Sequence, residues 1–211
     1  MTTRGYIITG TDTGIGKTVF ASMLTLALKG IYWKPIQSGT KDGTDLQTTK
    51  KLTGLSDEHF TAEAYVLSQP LSPHRAAELD KVSIDVERLK LPSVSLPLII
   101  EGAGGLMVPV TRDALFIDLF KQWRLPVILC ARTALGTINH TLLSVEALKK
   151  RNILIHGIAF VGDDNPDNIS TIAAFSGVKV LGRLPSLERI DKSTLEKAFA
   201  ENFKRTDFAH A

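Results

Sequence analysis

Apolar runs of strand length alternate along the chain with longer segments that mix apolar and polar residues. The apolar runs are GYIIT (5–9), IYWKPI (31–36), PLIIEG (97–102), PVILCA (126–131), HGIAFV (156–161) and VKVLGRL (178–184). The mixed segments of helical length are KTVFASMLTLALK (17–29), LFIDLFKQW (115–123), INHTLLSVEALKKR (138–151) and STLEKAFAENFK (193–204). Near-continuous apolar strands that alternate with helices are typical of a mostly parallel sheet with helices on both faces. The pattern therefore predicts an α/β fold.

Polar, glycine-rich segments follow several of these apolar runs. They are GTDTGIGKT (10–18), QSGTKDGTD (37–45), EGAGG (101–105) and ARTALGT (131–137). In open α/β sheets, ligands bind outside the carboxyl ends of the strands. Since the carboxyl ends of parallel strands share one edge of the sheet, we expect these four segments to meet around a single site.

The first of these segments, GTDTGIGKT, is predicted to bind phosphate. Its glycines let backbone N–H groups turn toward one centre, and the following helix contributes the positive end of its dipole. Lys17 would reach the terminal phosphates, and Thr18 would place its hydroxyl on Mg²⁺. The common pattern G-x-x-x-x-G-K-[ST] requires glycine at Thr11, whereas this chain has Gly10, so its loop is one residue longer. These features indicate a fold of the phosphate-loop NTPase type.

The second segment begins within KPIQSG (34–39). A proline is not expected in the middle of a central strand, so Pro35 predicts a bend or bulge next to Lys34. At the edge that also carries Lys17, Lys34 would supply a second positive charge to a transferring phosphoryl group. Its alternative role is a lysine whose stem lies on apolar neighbours. Ser38 would either donate a hydrogen bond to a substrate or cap its own loop.

Two carboxylates complete a possible metal site. Glu101 follows an apolar strand, where the acidic residue of phosphate-loop enzymes usually addresses magnesium, although aspartate is commoner at that place. Asp45 opens a helical segment and would be either an N-cap or a ligand. Together with Thr18 they offer three oxygen ligands for one hard cation, with phosphates and waters completing its shell. The glycines that follow Glu101 allow close approach of backbone to ligand; they are Gly102, Gly104 and Gly105.

Composition narrows the class of protein. With 211 residues, 44% of them hydrophobic, the chain suits one domain spanning 1–211. A net charge of +3 is too balanced to favour nucleic-acid binding, and no apolar stretch is long enough for a membrane span. The single cysteine, Cys130, is predicted to be a buried small hydrophobe and excludes an internal disulfide. These features predict a cytoplasmic protein without nucleic-acid or membrane partners.

Taken together, the motifs resemble those of the dethiobiotin synthetase family, ATP-dependent carboxylases of biotin biosynthesis. The resemblance covers about residues 5 to 190 and rests, in order, on GTDTGIGKT (10–18), KPIQSG (34–39), TD at 44–45, LSPHRAAE (71–78), EGAGG (101–105), LGTINH (135–140) and LGRLP (181–185). The loop with its extra residue, followed by K-P-x-x-S-G and E-G-A-G-G, is specific to that family. The length of the chain agrees with the family as well.

The resemblance implies three groups of site residues. ATP would contact Gly14, Ile15, Gly16, Lys17, Thr18, Val19, Glu101, Gly102, Ala103, Gly104, Leu184, Pro185 and Ser186. The substrate would contact Thr13, Lys34, Ser38, Gly105, Leu135, Gly136, Thr137 and Ile138. Mg²⁺ would be held by Thr18, Asp45 and Glu101. Lys34, Lys17, Thr13 and Ser38 would be the catalytic set, with Lys34 as the family's active-site lysine.

The resemblance also implies a reaction and an assembly. CO₂ or bicarbonate and one amine of 7,8-diaminononanoate would form a carbamate. The ATP γ-phosphoryl group would then activate that carbamate, and the second amine would close the ureido ring. The enzyme would be a homodimer with its substrate site at the interface, where Leu135–Ile138 of the partner subunit would receive the substrate carboxylate. The amino end of a helix suits a carboxylate on dipole grounds.

The sequence departs from the family pattern at two places. Where the family usually carries an asparagine that reads adenine, this chain has Val161 or Gly162, which leaves nucleotide selectivity open. Gly14 stands where some relatives carry glutamate in the phosphate loop.

Two other functions share parts of the pattern. Cobyrinate-type amide synthetases have a similar loop but carry a glutaminase domain, for which this chain is too short. Switch-type partitioning ATPases often carry a further lysine early in the loop, where this chain has Asp12. Both remain alternatives to the synthetase.

Overall fold

A computed structural model describes residues 4–209 of the chain. Within that range the strands are β1 Gly5–Gly10, β2 Ile31–Trp33, β3 Ile36–Ser38, β4 Phe60–Thr61, β5 Tyr65–Leu67, β6 Leu98–Gly105, β7 Val127–Arg132, β8 Ile155–Val161 and β9 Val180–Leu184. The α-helices are α1 Lys17–Leu28, α2 Asp45–Thr53, α3 Pro73–Asp80, α4 Phe116–Trp123, α5 Thr137–Lys150, α6 Pro166–Ser176 and α7 Lys192–Asn202. The four helices predicted from the mixed segments are present within a residue or two of their expected ends.

The main sheet has seven parallel strands in the order β4-β2-β6-β1-β7-β8-β9. Alternate side chains of its strands enter two separate hydrophobic clusters. In β1, for example, Ile7 packs in the cluster with α3, α4, α5 and α6, while Tyr6 and Ile8 pack in the cluster with α1, α2 and α7. The predicted α/β fold with helices on both faces is confirmed.

The strand predicted over 31–36 is interrupted at Lys34 and Pro35. The first half is β2 of the main sheet, and the second half is β3, which pairs with β5 in a small two-stranded parallel sheet. The bend expected from Pro35 is therefore a change of sheet. It turns the chain out of the main sheet at Lys34, at the carboxyl end of β2.

The carboxyl ends of β1, β2 and β6 lie side by side, because β6 pairs with both of the others. The chain leaves β1 in one direction to reach β2, and leaves β6 in the other direction to reach β7. A reversal of this kind opens a crevice at the edge where ligands bind in such sheets. None of the described helices is long and apolar enough to cross a membrane.

Candidate active site

The register of two strands brings Lys34 and Glu101 together. In the β2–β6 pair, Trp33 lies opposite Ile100, so the next residues are Lys34 and Glu101. The side chains of Trp33 and Ile100 enter the hydrophobic cluster with α3 and α4. Because side chains alternate between the two faces of a sheet, those of Lys34 and Glu101 lie on the opposite face, toward α1. Parallel pairing therefore sets a lysine beside a carboxylate at the carboxyl edge of the sheet.

Lys34, Asp45 and Glu101 form one ion cluster, in which Lys34 and Glu101 are buried and Asp45 is partly exposed. The Lys34 ammonium donates to a carboxylate oxygen of Asp45 and to Glu101 Oε1 at 3.1 Å. Lys34 is 5% exposed and Glu101 only 1%. Burial opposes the charge of Lys34, but the carboxylates of Glu101 and Asp45 outweigh it and raise the pKa of the ammonium. The lysine is thus held as a cation between the two carboxylates.

Thr18 joins the same cluster from α1. Its hydroxyl donates to Glu101 Oε1 at 2.8 Å, so the three residues predicted to bind the cation lie within reach of one another. Two carboxylates and a hydroxyl are hard oxygen donors, as Mg²⁺ prefers, and Lys34 shows that the cluster accepts a positive charge. The described chain has no group of three or more His, Cys, Asp and Glu residues that could hold a metal. With two carboxylates and a hydroxyl, the set Thr18, Asp45 and Glu101 would fit Mg²⁺ only if further oxygens, such as those of phosphates, completed its shell.

Asp45 is not the N-cap of its helix. The cap is Thr44, whose hydroxyl accepts from the Gln47 amide, while the Gln47 side chain accepts from the Thr44 amide at 3.0 Å. This reciprocal pair satisfies the first turn of α2 without Asp45. The N-cap interpretation was wrong, and the carboxylate of Asp45 points instead to Lys34.

The phosphate loop has the conformation that its glycines predict. Gly14 and Gly16 have φ of 69° and 92°, in the left-handed region that favours glycine, and Gly16 caps α1. Lys17 is 6% exposed, and its ammonium donates to the Asp12 carbonyl at 2.8 Å. Desolvation lowers its pKa, against the opposing effect of Glu101. The side chain of Lys17 therefore lies over the phosphate loop itself.

A cavity of about 690 Å³ opens above these groups. Of the residues predicted to act, it is lined by Thr13, Gly14, Gly16, Lys17, Thr18, Val19, Lys34, Ser38, Asp45, Glu101, Ala103 and Gly104. Pro70, Leu71, Ser72, Pro73 and Val108 complete the wall. Leu71, Ser72 and Pro73 belong to the LSPHRAAE motif (71–78), for which no role in the site was predicted.

Ser38 lies at the cavity, with its loop held from below by Gln37. The Ser38 hydroxyl oxygen is buried and has no hydrogen-bond partner within residues 4–209. Gln37 donates to the Gly39 carbonyl at 2.9 Å and accepts from the Asp45 amide at 3.1 Å. Gln37 therefore secures the loop, and Ser38 does not cap it.

A smaller cavity of about 270 Å³ adjoins the phosphate loop on its other side. Its wall is Gly14, Ile15, Gly16, Val19, Val161, Leu184, Pro185, Ser186, Leu187 and Ile190. The predicted nucleotide residues Ile15, Leu184, Pro185 and Ser186 therefore lie together, beside Val161. An apolar slot next to a phosphate cradle suits the flat face of a base.

Other predicted residues lie away from both cavities. Gly102 is buried, and a Cβ built on it would lie 3.3 Å from Phe120, so this glycine serves packing. Gly105 pairs with Gly10 at the top of the sheet. The segment Leu135–Ile138 begins α5 outside the walls described above, and Leu135 is fully exposed. In this chain by itself, that segment does not meet the cavity.

Sequence reasoning missed three polar residues of the site. Tyr32 donates to Glu101, Gln37 holds the Ser38 loop, and Arg132 donates to the Thr13 carbonyl at 2.8 Å. Arg132 carried a usable signal, since it is a cation directly after an apolar strand at the ligand edge. Tyr32 lies within an apolar run and Gln37 opens a polar segment, and neither position indicates which group the side chain reaches.

A family model and curated relatives match this chain over most of its length. The family model described as an AAA domain matches residues 4–194. The chain is 56% identical over 208 residues to the ATP-dependent dethiobiotin synthetase BioD of Brucella anthropi, covering 99% of this chain and 98% of that protein. It is 52% identical over 204 residues to the protein of the same name from Novosphingobium aromaticivorans, covering 97% and 98%.

Among solved structures, the chain is similar to a plasmid partition protein from Borrelia burgdorferi bound to AMPPNP. The TM-score is 0.54 at 12% sequence identity, over 93% of this chain and 90% of the other. At that identity the likeness shows the shared fold, of the phosphate-loop NTPase type, and nothing about activity.

Proposed function

The chain belongs to the family of ATP-dependent dethiobiotin synthetases, and from that membership we propose that its main cavity converts 7,8-diaminononanoate, CO₂ and ATP to dethiobiotin, ADP and phosphate. Sequence similarity and the geometry of the cavity together support the proposal. A chain that matches these synthetases along their whole length also has two buried lysines, Lys17 and Lys34, on one cavity at the end of a phosphate loop.

The phosphate loop and the small apolar cavity would bind ATP. Backbone N–H groups around Gly14–Val19 and the amino end of α1 would hold the phosphates, with Lys17 reaching the γ-phosphate. The base would lie between the Pro185 segment and Val161, where apolar contact dominates. An apolar slot gives little hydrogen-bond selection of the base, so we expect modest discrimination among nucleoside triphosphates.

Thr18, Asp45 and Glu101 would hold Mg²⁺ together with the phosphates. When bound, the ion would offset the negative charge that develops on the transferring phosphoryl group. For the ion to reach both carboxylates, the ammonium of Lys34 would turn from them toward the cavity. Lys34 would then face the same oxygens as Lys17 from the opposite side.

The chemistry needs charge stabilisation and fixed geometry more than acid–base work. One amine of the diamine attacks CO₂ and loses a proton, which forms the carbamate. A carbamate oxygen takes the γ-phosphoryl group and ADP leaves; Lys34 and Lys17 would stabilise the charge on these oxygens. The second amine then attacks the activated carbon, loses a proton, and expels phosphate to close the ring. Thr13 and Ser38 would hydrogen-bond the carbamate or its amine.

The far end of the substrate would be bound by a second copy of the chain. We propose a homodimer in which Leu135–Ile138 of the partner subunit receives the substrate carboxylate. The exposed Leu135 and the amino end of α5 at Gly136 support this arrangement, because they offer an apolar contact and a helix dipole outside the cavity. The cytoplasmic location and the lack of nucleic-acid or membrane partners stay predictions from the sequence.

Phosphate release from ATP, measured with bicarbonate and Mg²⁺ in the presence and absence of 7,8-diaminononanoate, tests the proposal. We expect release only with the diamine, together with a product of the mass of dethiobiotin. The same assay with other nucleoside triphosphates tests the predicted tolerance for the base. Hydrolysis that ignores the diamine would instead favour a switch-type ATPase and would contradict the synthetase.

A further inference from the structure

A fully buried tyrosine lies beneath the ion cluster. Tyr32 is in β2, two residues before Lys34, so its side chain is on the same face of the sheet as that lysine. It is 0% exposed and packs in the cluster of α1, α2 and α7. A tyrosine at such a depth needs a hydrogen-bond partner for its hydroxyl, since an unpaired buried hydroxyl destabilises the fold.

That partner is the carboxylate of Glu101. The Tyr32 hydroxyl donates to Glu101 Oε2 at 2.8 Å, while Thr18 and Lys34 both donate to Oε1. The two oxygens of the carboxylate are thus used differently. Oε2 is fixed from the protein interior, and Oε1 is on the side of the cavity-lining groups.

Buried hydroxyls also link the two helices that cover this face of the sheet. The Ser22 hydroxyl of α1 donates to the Thr18 carbonyl at 2.7 Å and lies 3.0 Å from the Thr49 hydroxyl of α2. Ser22 and Thr49 are 0% exposed. These contacts tie α2 to Thr18, the residue of α1 whose hydroxyl donates to Glu101.

We propose that Tyr32 is a positioning residue that sets the orientation of Glu101 for the cation and phosphates. The inference rests on the proposed function, in which Glu101 is a metal ligand. Hydrogen bonds to ligating carboxylates fix their direction, and loss of such a partner typically lowers metal affinity by about 10- to 100-fold. Without the phenol, Glu101 can rotate away from Thr18 and Asp45.

The first experiment compares Tyr32→Phe with Tyr6→Phe. Tyr6 is also a buried strand tyrosine, but its ring packs on His156 and Phe208, away from the cavity. Mn²⁺ binding to each protein, with a non-hydrolysable ATP analogue present, is followed by electron paramagnetic resonance. We expect the Mn²⁺ Kd of Tyr32→Phe to rise by about 10-fold and that of Tyr6→Phe to stay at the wild-type value.

Binding of the ATP analogue without metal and thermal unfolding are recorded for the same proteins. They report folded protein independently of the cation. A purely structural role would lower the Tm of Tyr32→Phe and leave the Mn²⁺ Kd of the folded protein unchanged, which would overturn the inference.

A double-mutant cycle with Glu101→Gln shows whether Tyr32 acts through Glu101. If it does, Tyr32→Phe has no further effect on Mn²⁺ affinity in the Glu101→Gln background. Equal and additive effects would contradict the positioning role. If Glu101→Gln binds Mn²⁺ as tightly as wild type, both the ligand assignment and the inference fail. If Glu101→Gln alone loses affinity and Tyr32→Phe does not, the ligand assignment stands and only the inference falls.

Discussion

The two ends of the proposed site are built very differently. At the nucleotide end, Lys34, Glu101 and Thr18 are tied by hydrogen bonds to groups that are themselves buried. At the acceptor end, Leu135 and Gly136 stand in the open, and nothing in the described chain lies within 4 Å of a Cβ built on Gly136. The residues of the nucleotide end contact one another within a single chain, and those of the acceptor end lie on its surface.

The ligands proposed for the two ends would account for this difference. Phosphates and a cation carry concentrated charge, which needs a dry and fixed set of partners. A long flexible acceptor with a carboxylate at its far end needs only a distant anchor, and a helix amino end on a second subunit can provide it. The central claim is therefore that the chemistry belongs to one chain and the acceptor anchor to its partner.

Replacing the central lysine should break the nucleotide end most severely. Lys34→Ala removes the cation that faces the carbamate and leaves Asp45 and Glu101 without their shared partner. We expect turnover to fall by about 10³-fold in a diamine-dependent phosphate-release assay, with the fold retained by circular dichroism. The control is Lys121→Ala, an exposed lysine of α4, which should keep wild-type turnover. An active Lys34→Ala enzyme would contradict the role assigned to this lysine.

A charge at the exposed helix end should break the acceptor end alone. Gly136→Asp sets a carboxylate where the substrate carboxylate is proposed to bind, and like charges placed together cost several kcal/mol. We expect the KM for the diamine to rise by about 100-fold while the KM for ATP stays unchanged. Gly136→Asn has nearly the same shape and also tolerates the left-handed φ of 89°, so it serves as the neutral control. An equal loss in both variants would show that the conformation, and not the charge, matters.

Substitution of Gln37 tests whether the two ends of the site depend on each other. Gln37 bonds to the Asp45 amide on the metal side and to the Gly39 carbonyl beside Ser38. Gln37→Leu leaves these partly buried groups unpaired, so we expect KM for ATP and for the diamine to rise together by about 10-fold. Steady-state kinetics with each substrate varied gives both values. Gln69→Leu, at an exposed glutamine, is the control, and a rise in only one KM would show that the ends are independent.

The buried thiol behind the site should have the smallest effect. Burial raises the pKa of Cys130 to about 12 from its ordinary 9.0. Since folding favours the neutral thiol, this stability is present below pH 9.0 and is lost as the pH rises toward about 12. At pH 8 a disulfide reagent should label Cys130 only after unfolding, and Cys130→Ala should keep full turnover. Rapid labelling of the native protein would show that the nucleotide end opens to water.

Much of the fold was predictable because its signals are local. Long apolar strands, glycine-rich loops and the capping pattern of helices depend on neighbouring residues in the chain. The small sheet of β3 and β5 was missed, because strands of three residues show no periodicity that separates them from a loop. Helices α3 and α6 were missed as well, since both begin at a proline within polar segments.

The sequence predicted which residues form the candidate site better than it predicted the contacts between them. The sequence motifs alone predicted that Lys17, Lys34 and Glu101 lie at one edge of the sheet. The contact of Lys34 with Asp45 and Glu101, and the support of Glu101 by Tyr32, depend on strand register and on the change of sheet at Pro35. Such contacts join residues as far apart as 69 positions, which no local pattern encodes.

The most direct test of the central claim is complementation between two impaired chains. Lys34→Ala impairs the nucleotide end, and Gly136→Asp impairs the acceptor anchor. In a mixed dimer, one site therefore combines the intact nucleotide end of the Gly136→Asp chain with the intact anchor of the Lys34→Ala chain. The two chains are co-expressed with different tags, and diamine-dependent phosphate release is measured at low diamine concentration. If the site is divided between subunits, about a quarter of wild-type activity should return, as random pairing into dimers requires. Activity no higher than that of either variant alone would contradict the account and return the whole site to a single chain.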